Sequence, residues 1–588
     1  MKDLKTIAKA CFKCQNAPCI KDCPLHNNIP VIMKYYEQEK YLEAYQIIIE
    51  NNPLISLCGL ICPHEHQCAK NCKHLKAFKE RIRIEEIEHD LFLRFGHNFN
   101  FPPISKGSVI VVGAGVAGLA ASILLRKSGF KVVLCEAENK IGGVIANQIP
   151  RFRFDDSVLE DIYNEIKDHI DIRFNTKLGE NLTLEDLDNY DFHVIATGSN
   201  KPIRILNREN IFSSSWVLSL LKENKFNITN KKIGVLGCGN AAIDTARSLN
   251  KIGNDVTIIY RRNLENAPAT KHEIECAKTE GVNFKELYSL EEYYEGIATL
   301  RKMELLPKVE GERQKFKSTD ILENDNFDLL VEAYGANPDF NVFKDLKWFK
   351  LIDDKDWLLD SSHLNTYFVG DVYNHPTSIA TAIQHAKLMC QKIITNYNEI
   401  NRIKKDLKGK KIVLGGSFNP PTIAHIEIAN FIKKHISKDL LLLPNGNKYP
   451  TKELLSFEER LELIKMSFPN IEIDDYEKDI HFGGTVKYLE LKDHPFFVIG
   501  TDSLRDLVGW IDGKKLIENN KFIVFKREND NVDEIFEKEI LLRNNKSNFY
   551  IITISTSNVS SSKFRETFDA NYVLDEVYDL IIKNGYYK

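Results

Sequence analysis

Eight of the twelve cysteines in this 588-residue chain fall between Cys11 and Cys72. They form two groups: Cys11-x2-Cys14-x4-Cys19-x3-Cys23-Pro24, and Cys58-x3-Cys62-Pro63-x3-Gln67-Cys68-x3-Cys72. Thiols so dense must converge on something that holds them, and this constrains the first hundred residues more than any propensity does. Thiolates are soft ligands, and four per group suit an iron–sulfur cube. Short spacings place three sulfurs on one side of a cube, and a distant residue supplies the fourth. A cysteine followed by proline often ligates the other cluster of a two-cluster pair. A structural zinc site and a disulfide framework are the alternatives left open by spacing alone. Residues 30–50, PVIMKYYEQEKYLEAYQIIIE, carry helical spacing with no breaker after Pro30, so the head is expected to be helical.

The chain is too long for one core, and ~3–5 domains is the expectation. A net charge of −4 with mixed signs lacks the basic footprint of a nucleic-acid binder. No run approaches the ~20 apolar residues of a membrane span. The opening MKDLKTIAKACFKC has no apolar signal core. These features predict a cytoplasmic protein with neither nucleic acid nor membrane as partner.

NFPPISKGS, 100–108, reads as a linker, and two strand–glycine turn–helix units follow. In VIVVGAGVAGLAASILL an apolar strand runs into Gly113-x-Gly115-x-x-Gly118. Glycines there permit a tight turn and close approach of pyrophosphate to a helix N-terminus. Glu136 ends the next strand and can take a ribose hydroxyl pair. The second unit, KIGVLGCGNAAIDTARSL, has Gly237-x-Gly239-Asn240-x-Ala242. Its following strand ends not in an acid but in Tyr260-Arg261-Arg262, and a guanidinium pair suits the 2′-phosphate of NADPH. The NADPH segment has no CxxC, and Cys238 stands alone, which argues against disulfide chemistry.

A different pattern begins after NRIKKDLKGKK, 401–411, which reads as a charged connector. In KKIVLGGSFNPPTIAH a strand ends in a glycine turn (Gly416, Ser417, Phe418) expected to contact substrate, and His425 lies in the first turn of a helix. The helix N-terminus and the imidazole are both suited to ATP phosphates. NVSSSKFRETF puts Ser560, Ser561 and Ser562 at another helix start with Arg565 one turn in, a second phosphate clamp at the other end of the same α/β segment. Two clamps suit transfer of an adenylyl group to a phosphate.

These motifs carry two resemblances. The cysteine head, the two glycine turns, KIGGV with Gly142 and Gly143, VIATGS, VEAYGANPD, YFVGDV, NQIPRFRFDDSVLE and YRRNLENAPATKHEIECAKTEGV together resemble the small subunit of glutamate synthase and the N-terminal half of dihydropyrimidine dehydrogenase. The resemblance implies FAD on the first turn, on Gly143 and on Gly370 and Asp371, the latter at a ribityl hydroxyl. It implies one [4Fe-4S] cluster on Cys11, Cys14, Cys19 and Cys72, and a second on Cys23, Cys62 and Cys68. The fourth ligand of the second falls on Glu88, with Cys58 as the competing candidate. NADPH would then reduce FAD, FAD would feed the clusters, and the acceptor would be another polypeptide.

From about residue 408 the tail resembles nicotinate-nucleotide adenylyltransferase, through the opening motif, KYPTKELLSFEERLELIKMSF and FFVIGTDSLRDLVGWIDGKKLIENNKFIVFKRE. Two departures are Ala424, where the family has Gly, and Asn419, where Asp is common. The resemblance implies that Thr422 and His425 stabilise ATP phosphate charge, with Lys452, Ser562 and Arg565 completing the catalytic set. Arg460 would reach phosphate or mononucleotide. Thr485 falls in the nicotinate-site stretch, Asp502 lies beside adenosine, and Trp510 stacks on the pyridine. Ser560 belongs to the second clamp, and Mg2+ accompanies ATP.

The expectation is therefore a multidomain α/β chain. It has a helical iron–sulfur domain (1–103), an FAD domain in two parts (104–225 and 341–400), an interleaved Rossmann-like NADPH domain (226–340) and a Rossmann-like nucleotidyltransferase domain (408–588). The expected function is bifunctional: NADPH-dependent electron input, and adenylylation of nicotinate mononucleotide. A degenerate nucleotide-sensing or docking tail, or an acceptor such as phosphopantetheine or nicotinamide mononucleotide, are the alternatives.

Overall fold

The computed structural model describes residues 3–587 apart from 207, 310–311, 344–348, 352–358, 362–364, 374–377, 448–453, 479–483, 528–529 and 555–558. The chain divides into two compact units. The first takes in Met1–Asp186, Val194–Asp339 and Phe368–Lys387; the second takes in Leu187–His193, Phe340–Tyr367 and Leu388–Lys588.

The first unit begins with helices alone. Residues 30–50 form not one helix but two, Ile29–Glu37 and Tyr41–Asn51. The expected continuity fails at Glu39, whose φ of 61° ends the first helix. Tyr36, Tyr45, Ile48, Leu57, Ile87 and Leu91 build the buried core here. Helix Ile55–Ile61 packs directly on helix Ile84–Phe95. Gly59 permits this, since a Cβ there would stand 2.9 Å from the His89 backbone nitrogen.

Two parallel sheets follow, each opened by a glycine-turn unit. In the first, strands stand in the order Phe192–Ile195, Ser108–Val112, Lys131–Cys135, Asp171–Arg173. The chain at Val369 runs alongside Ile195, to whose carbonyl its N–H donates at 2.9 Å. The second sheet has the order Ile211–Ser213, Leu329–Glu332, Lys232–Leu236, Asp255–Tyr260, Asn283–Glu286. These strands are buried runs of Val, Ile and Leu, as a sheet covered on both faces demands. A two-stranded antiparallel link pairs Lys201–Pro202 with Ala336–Asn337, beside VIATGS and within VEAYGANPD. A three-stranded antiparallel sheet, Tyr288–Tyr294, Ile297–Leu305 and Phe316–Asn326, completes the unit.

The second unit holds a six-stranded parallel sheet. Its order is Glu472–Ile473, Leu440–Pro444, Ile412–Gly416, Phe496–Gly500, Phe522–Arg527, Phe549–Ile554. The order reverses beside Ile412–Gly416, and ligands of doubly wound sheets bind at such a switch point. Val413, Leu441, Phe497, Ile499, Phe522 and Val524 fill its core with Tyr488, Leu504 and Leu516 from the helices.

The charged run 401–411 is not a loose connector. Its first residues end a helix, Ile379–Leu407, and within the second unit they pack on the last strand. Arg402 donates to the Ser547 carbonyl at 2.9 Å and stacks 4.2 Å over the Tyr550 ring. Asp406 accepts from the Tyr550 hydroxyl at 2.6 Å. Buried Asn396 donates to the Thr553 carbonyl at 2.7 Å and accepts from the Thr553 N–H at 2.9 Å. Replacing it strands two backbone groups in a dry place, which costs on the order of 2 kcal/mol. Asn396→Ala is expected to lower the calorimetric unfolding temperature of the second unit and leave that of the first unit in place; an unmoved second-unit transition would contradict the assignment.

Candidate functional sites

The head cysteines gather into two neighbouring sets. Burial raises the Cys11 thiol, and Cys72 and Cys14 add to the effect. Burial pushes Cys19 up to about 12, again with Cys11 and Cys72 adding. The second set centres on Cys62, raised by a hydrogen bond with Cys58, by burial, and by Cys68 and Glu88. Burial takes Cys23 to about 11, with Glu88 and Cys58 contributing. Cys68 is raised by burial, then by Glu88 and Cys23; Cys19 also reaches it, so the sets adjoin.

Glu88 lies among these thiols because the Gly59 contact brings its helix against Cys58 and Cys62. It is 5% exposed, and burial pushes its carboxyl up to about 8, with Glu85 adding. One of its oxygens has no hydrogen-bond partner, and neither has Asn27 Oδ1. The second set is therefore a buried pocket of groups that ordinarily bind as anions, whereas the thiols of the first set are only partly covered. This donor set fits a positively charged metal cluster. Among the described residues, no three His, Cys, Asp or Glu side chains close around a single ion-sized point. Two residues other than the cysteines and Glu88 also belong here. His64 Nε2 lies 3.1 Å from the Cys58 carbonyl, and its Nδ1 lies 3.1 Å from Cys68 Sγ. Gln67 takes a hydrogen bond from Cys62 Sγ at 3.0 Å and donates to Ser378 Oγ at 2.5 Å.

The three FAD motifs meet. Gly113 has φ 103°, and a Cβ there would stand 2.5 Å from the Ala196 carbonyl oxygen. At Gly115 a Cβ would meet no protein atom within 4 Å, which leaves room for pyrophosphate. A Cβ on Gly118 would collide with the Gly113 carbonyl, which is why the third glycine is needed. Gly143 stands against Gly115, and a Cβ on Gly370 would touch Ala117 of the same helix. Glu136 accepts from the Ala114 N–H at 2.6 Å and the Glu138 N–H at 3.0 Å. Burial pushes Asp371 up to about 6. The Gly370 N–H donates to His385 Nδ1 at 3.1 Å.

The NADPH turn repeats the geometry: Gly237 has φ 120°, and Gly239 opens onto empty space. Asn240 Oδ1 accepts from the Thr270 N–H at 3.2 Å. The arginine pair splits. Arg261 is exposed, whereas Arg262 is 6% exposed, donates to the Gln314 carbonyl at 2.6 Å and packs on Phe316. The expected fork is therefore Arg261 alone. The two stretches singled out beyond the glycine turns are tied by ions: Arg153 pairs with Asp244 at 2.6 Å and Glu273 at 3.3 Å, and Arg247 also pairs with Glu273.

In the tail the two clamps, distant in sequence, adjoin. Arg565 donates to the Asn419 carbonyl at 2.5 Å, and Ser561 Oγ to the Pro420 carbonyl at 2.8 Å. Arg565 also reaches Ser562 Oγ at 3.4 Å, and Ser560 caps its helix by accepting from the Lys563 N–H. Asn419 Oδ1 accepts from the Leu455 N–H and from the Tyr587 hydroxyl, a residue that motif reasoning missed.

His425 is half-buried, and desolvation holds its pKa down to about 4. The Thr422 N–H donates to its Nδ1 at 3.1 Å, and the Thr422 hydroxyl lies 2.7 Å from the same atom. With Nδ1 accepting, the neutral ring carries its proton on Nε2. Thr422 is fully buried, so it positions the imidazole instead of touching phosphate.

Two more expectations change. Arg460 is fully buried and donates to the carbonyls of Leu455, Ser417 and Asn445 at 3.0, 2.8 and 2.5 Å. It ties the loops after two adjacent strands and is not directed at substrate. Phe418 is 1% exposed, with its ring 5.2 Å from His425 and 5.9 Å from Phe468, a packing residue beneath the imidazole. Gly416 ends the strand, and Ser417 Oγ accepts from Asn445 at 3.2 Å. Thr485 is buried at its helix start, Asp502 is exposed and paired with Arg505 at 2.9 Å, and Trp510 is half-buried against the core. Lys452 lies outside the described residues. Another unpredicted group is Glu477, 8% exposed, with burial pushing its carboxyl up to about 7.

Comparison with known proteins finds three family matches along the chain. Residues 2–94 match the family described as dihydropyrimidine dehydrogenase domain II, 4Fe-4S cluster. Residues 107–386 match pyridine nucleotide-disulphide oxidoreductase, and 413–567 match cytidylyltransferase-like. Among curated relatives, the putative oxidoreductase YgfK of Escherichia coli (strain K12) is 30% identical over 405 residues, covering 66% of this chain and 39% of that protein. The glutamate synthase [NADPH] small chain of the same strain is 29% identical, covering 48% of this chain and 64% of its own length. The NADPH-Fe(3+) oxidoreductase subunit beta of Geobacter sulfurreducens (strain DL-1 / KN400) is 29% identical, covering 56% and 52%. The chain thus spans less than two thirds of each. Among the described residues, no helix is long and apolar enough to cross a membrane. The chain is a multidomain α/β protein with an N-terminal 4Fe-4S domain, an FAD/NAD(P)-type Rossmann oxidoreductase region and a C-terminal cytidylyltransferase-like domain on a parallel sheet.

Proposed function

We propose that this chain is a bifunctional enzyme: an electron-input module that takes hydride from NADPH, and an adenylyltransferase that acts on nicotinate mononucleotide. The observation that carries the first half is the buried, partly unbonded Glu88 among Cys23, Cys62 and Cys68. FAD and two [4Fe-4S] clusters, when bound, would supply the conversion of an electron pair into single electrons. Cys11, Cys14, Cys19 and Cys72 would hold one cluster; Cys23, Cys62, Cys68 and Glu88 would hold the other. Gly115 and Gly239 would admit the two pyrophosphates, and Glu136 and Asp371 would orient ribose and ribityl hydroxyls. Arg261 would meet the 2′-phosphate of NADPH. A polypeptide electron acceptor is supported by the relatives called a small chain and a subunit.

In the tail, a phosphate oxygen of the mononucleotide attacks the α-phosphorus of ATP. The bond to the β-phosphate bridge oxygen breaks, and pyrophosphate leaves with Mg2+. No protein nucleophile is required. His425 donates its Nε2 proton as a hydrogen bond to the charge that develops, with Thr422 holding the tautomer. Ser560, Ser562 and Arg565 supply the second set of donors. Positioning and electrostatics account for the catalysis.

Iron, sulfide and flavin analysis of anaerobically purified protein, with an NADPH titration, tests the first half; colourless material that NADPH leaves unchanged ends it. Pyrophosphate release with nicotinate mononucleotide, run beside nicotinamide mononucleotide and phosphopantetheine, tests the second. Glu88→Ala is expected to lose about half the iron while Cys58→Ala keeps it, and the reverse pattern would make Cys58 the ligand. Arg261→Glu should raise the KM for NADPH at least about tenfold and leave that for NADH near its starting value. His425→Ala should lower adenylyl transfer by about a hundredfold or more without slowing flavin reduction. Nitrogen-15 spectra should find His425 as the neutral Nε2–H tautomer at pH 6; a cationic ring there would contradict the assigned role.

A further inference from the structure

We propose that the surface over the first cysteine set is the docking face for a small acidic protein that carries one electron at a time. This rests on the electron-input reading above. Phe12 follows Cys11 directly, and Phe78 ends the helix Lys73–Phe78 that Cys72 caps. Both rings are turned out, 49% and 62% exposed. They nevertheless touch each other, with centroids 5.9 Å apart, and both lie on His74, at 5.4 and 4.9 Å. His74 is itself buried, and its Nδ1 is held 2.8 Å from the Glu80 carbonyl. The exposed ring pair therefore stands on a fixed base. Exposed aromatic rings grouped in this way mark an interaction site more often than isolated ones do. Cys11, Cys14 and Cys72 beneath them are themselves partly exposed, so an electron held there lies close to solvent.

Charge selects the partner. Lys70, Lys73, Lys76 and Lys79 are exposed on this helix and the turns that flank it, and Lys9 and Lys21 on neighbouring helices are exposed too. None of these six has an ion-pair partner among the described residues. Two of the acids nearby are engaged: Glu37 pairs with Lys13 at 2.6 Å, and Asp22 accepts from Asn71 at 2.9 Å. A third acid, Glu80 next to Lys79, is exposed and also engaged. The patch is thus cationic on a chain whose net charge is −4. Exposed, unpaired lysines on the helix that ends in Phe78 and on the turns beside it fit a negatively charged surface, steer it in and release it as salt rises. Rapid, salt-sensitive exchange is what a mobile electron carrier needs.

The test uses the full chain, purified without air, and an oxidised acidic plant-type [2Fe-2S] ferredoxin as probe, with basic cytochrome c as the opposite-sign control. Titration calorimetry is expected to find ferredoxin binding that weakens as salt is raised from 50 to 300 mM, on the scale of about tenfold. The double variant Lys73→Glu/Lys76→Glu should weaken it a further tenfold or so. Phe78→Ser should weaken it with the salt dependence retained. Iron content and flavin spectrum should be unchanged in both, which reports intact folding. Absent ferredoxin binding, binding indifferent to these substitutions, preference for cytochrome c, or tighter binding to anionic vesicles or an oligonucleotide at the same salt would each overturn the proposal. NADPH bleaching of the same samples separates the two readings. Bleaching without ferredoxin binding removes the docking face alone, and charge-sensitive binding without bleaching removes the electron-input reading and the carrier's role with it, leaving only a binding face.

Discussion

The architecture of the head depends on burying ionisable groups together. Thiols and a carboxylate packed out of water lose hydration and repel one another as anions, and this drives Cys19, Cys23, Cys62, Cys68 and Glu88 toward their protonated forms. Such an interior has a poor reason to exist by itself. It becomes economical when a cationic centre replaces the lost water. The helices serve that end: Gly59 lets two backbones touch so that Glu88 reaches the thiols, and two tyrosine hydroxyls, on Asp90 and on the Gly96 carbonyl, fix the same helix and its end.

Much of the remaining chain is organised around a second recurring element, backbone N–H groups presented at the start of a helix. Three turns at the end of parallel strands present such a start, at Gly115, Gly239 and Thr422. The third differs from the others in adding a side chain. Its capping box uses the ring of His425 where a carboxylate commonly serves, so one hydrogen-bonding arrangement both ends the turn and assigns the imidazole proton. A structural cap and a chemical group are here the same residue.

Strand–turn–helix units were legible because their determinants are local: an apolar run, a glycine at positive φ, a helix behind it. The cysteine sets were legible in membership for the same reason. What spacing does not carry is the partner of a long side chain. Arg262 and Arg460 are spelled like phosphate ligands, yet Arg262 gives its Nε–H to the Gln314 carbonyl and Arg460 donates to the Ser417 and Asn445 carbonyls, all brought near only by folding. Phe418 adjoins the turn in sequence and faces inward in space. The break at Glu39 needs no glycine or proline and so leaves no mark in composition. The run 401–411 looks like a solvated tether because its charges are satisfied by Tyr550 and by carbonyls far along the chain.

That last feature bears on how the polypeptide can be taken apart. A boundary drawn by composition would fall near residue 401 and sever a helix in mid-course. A fragment beginning there would expose the flank of its terminal strand, with the Thr553 peptide stripped of Asn396, and would present an unpaired β edge to its neighbours. Expression of the nucleotidyltransferase part in isolation would meet aggregation for reasons unrelated to its active site, and the useful place to cut lies upstream, before the residues that cover that edge.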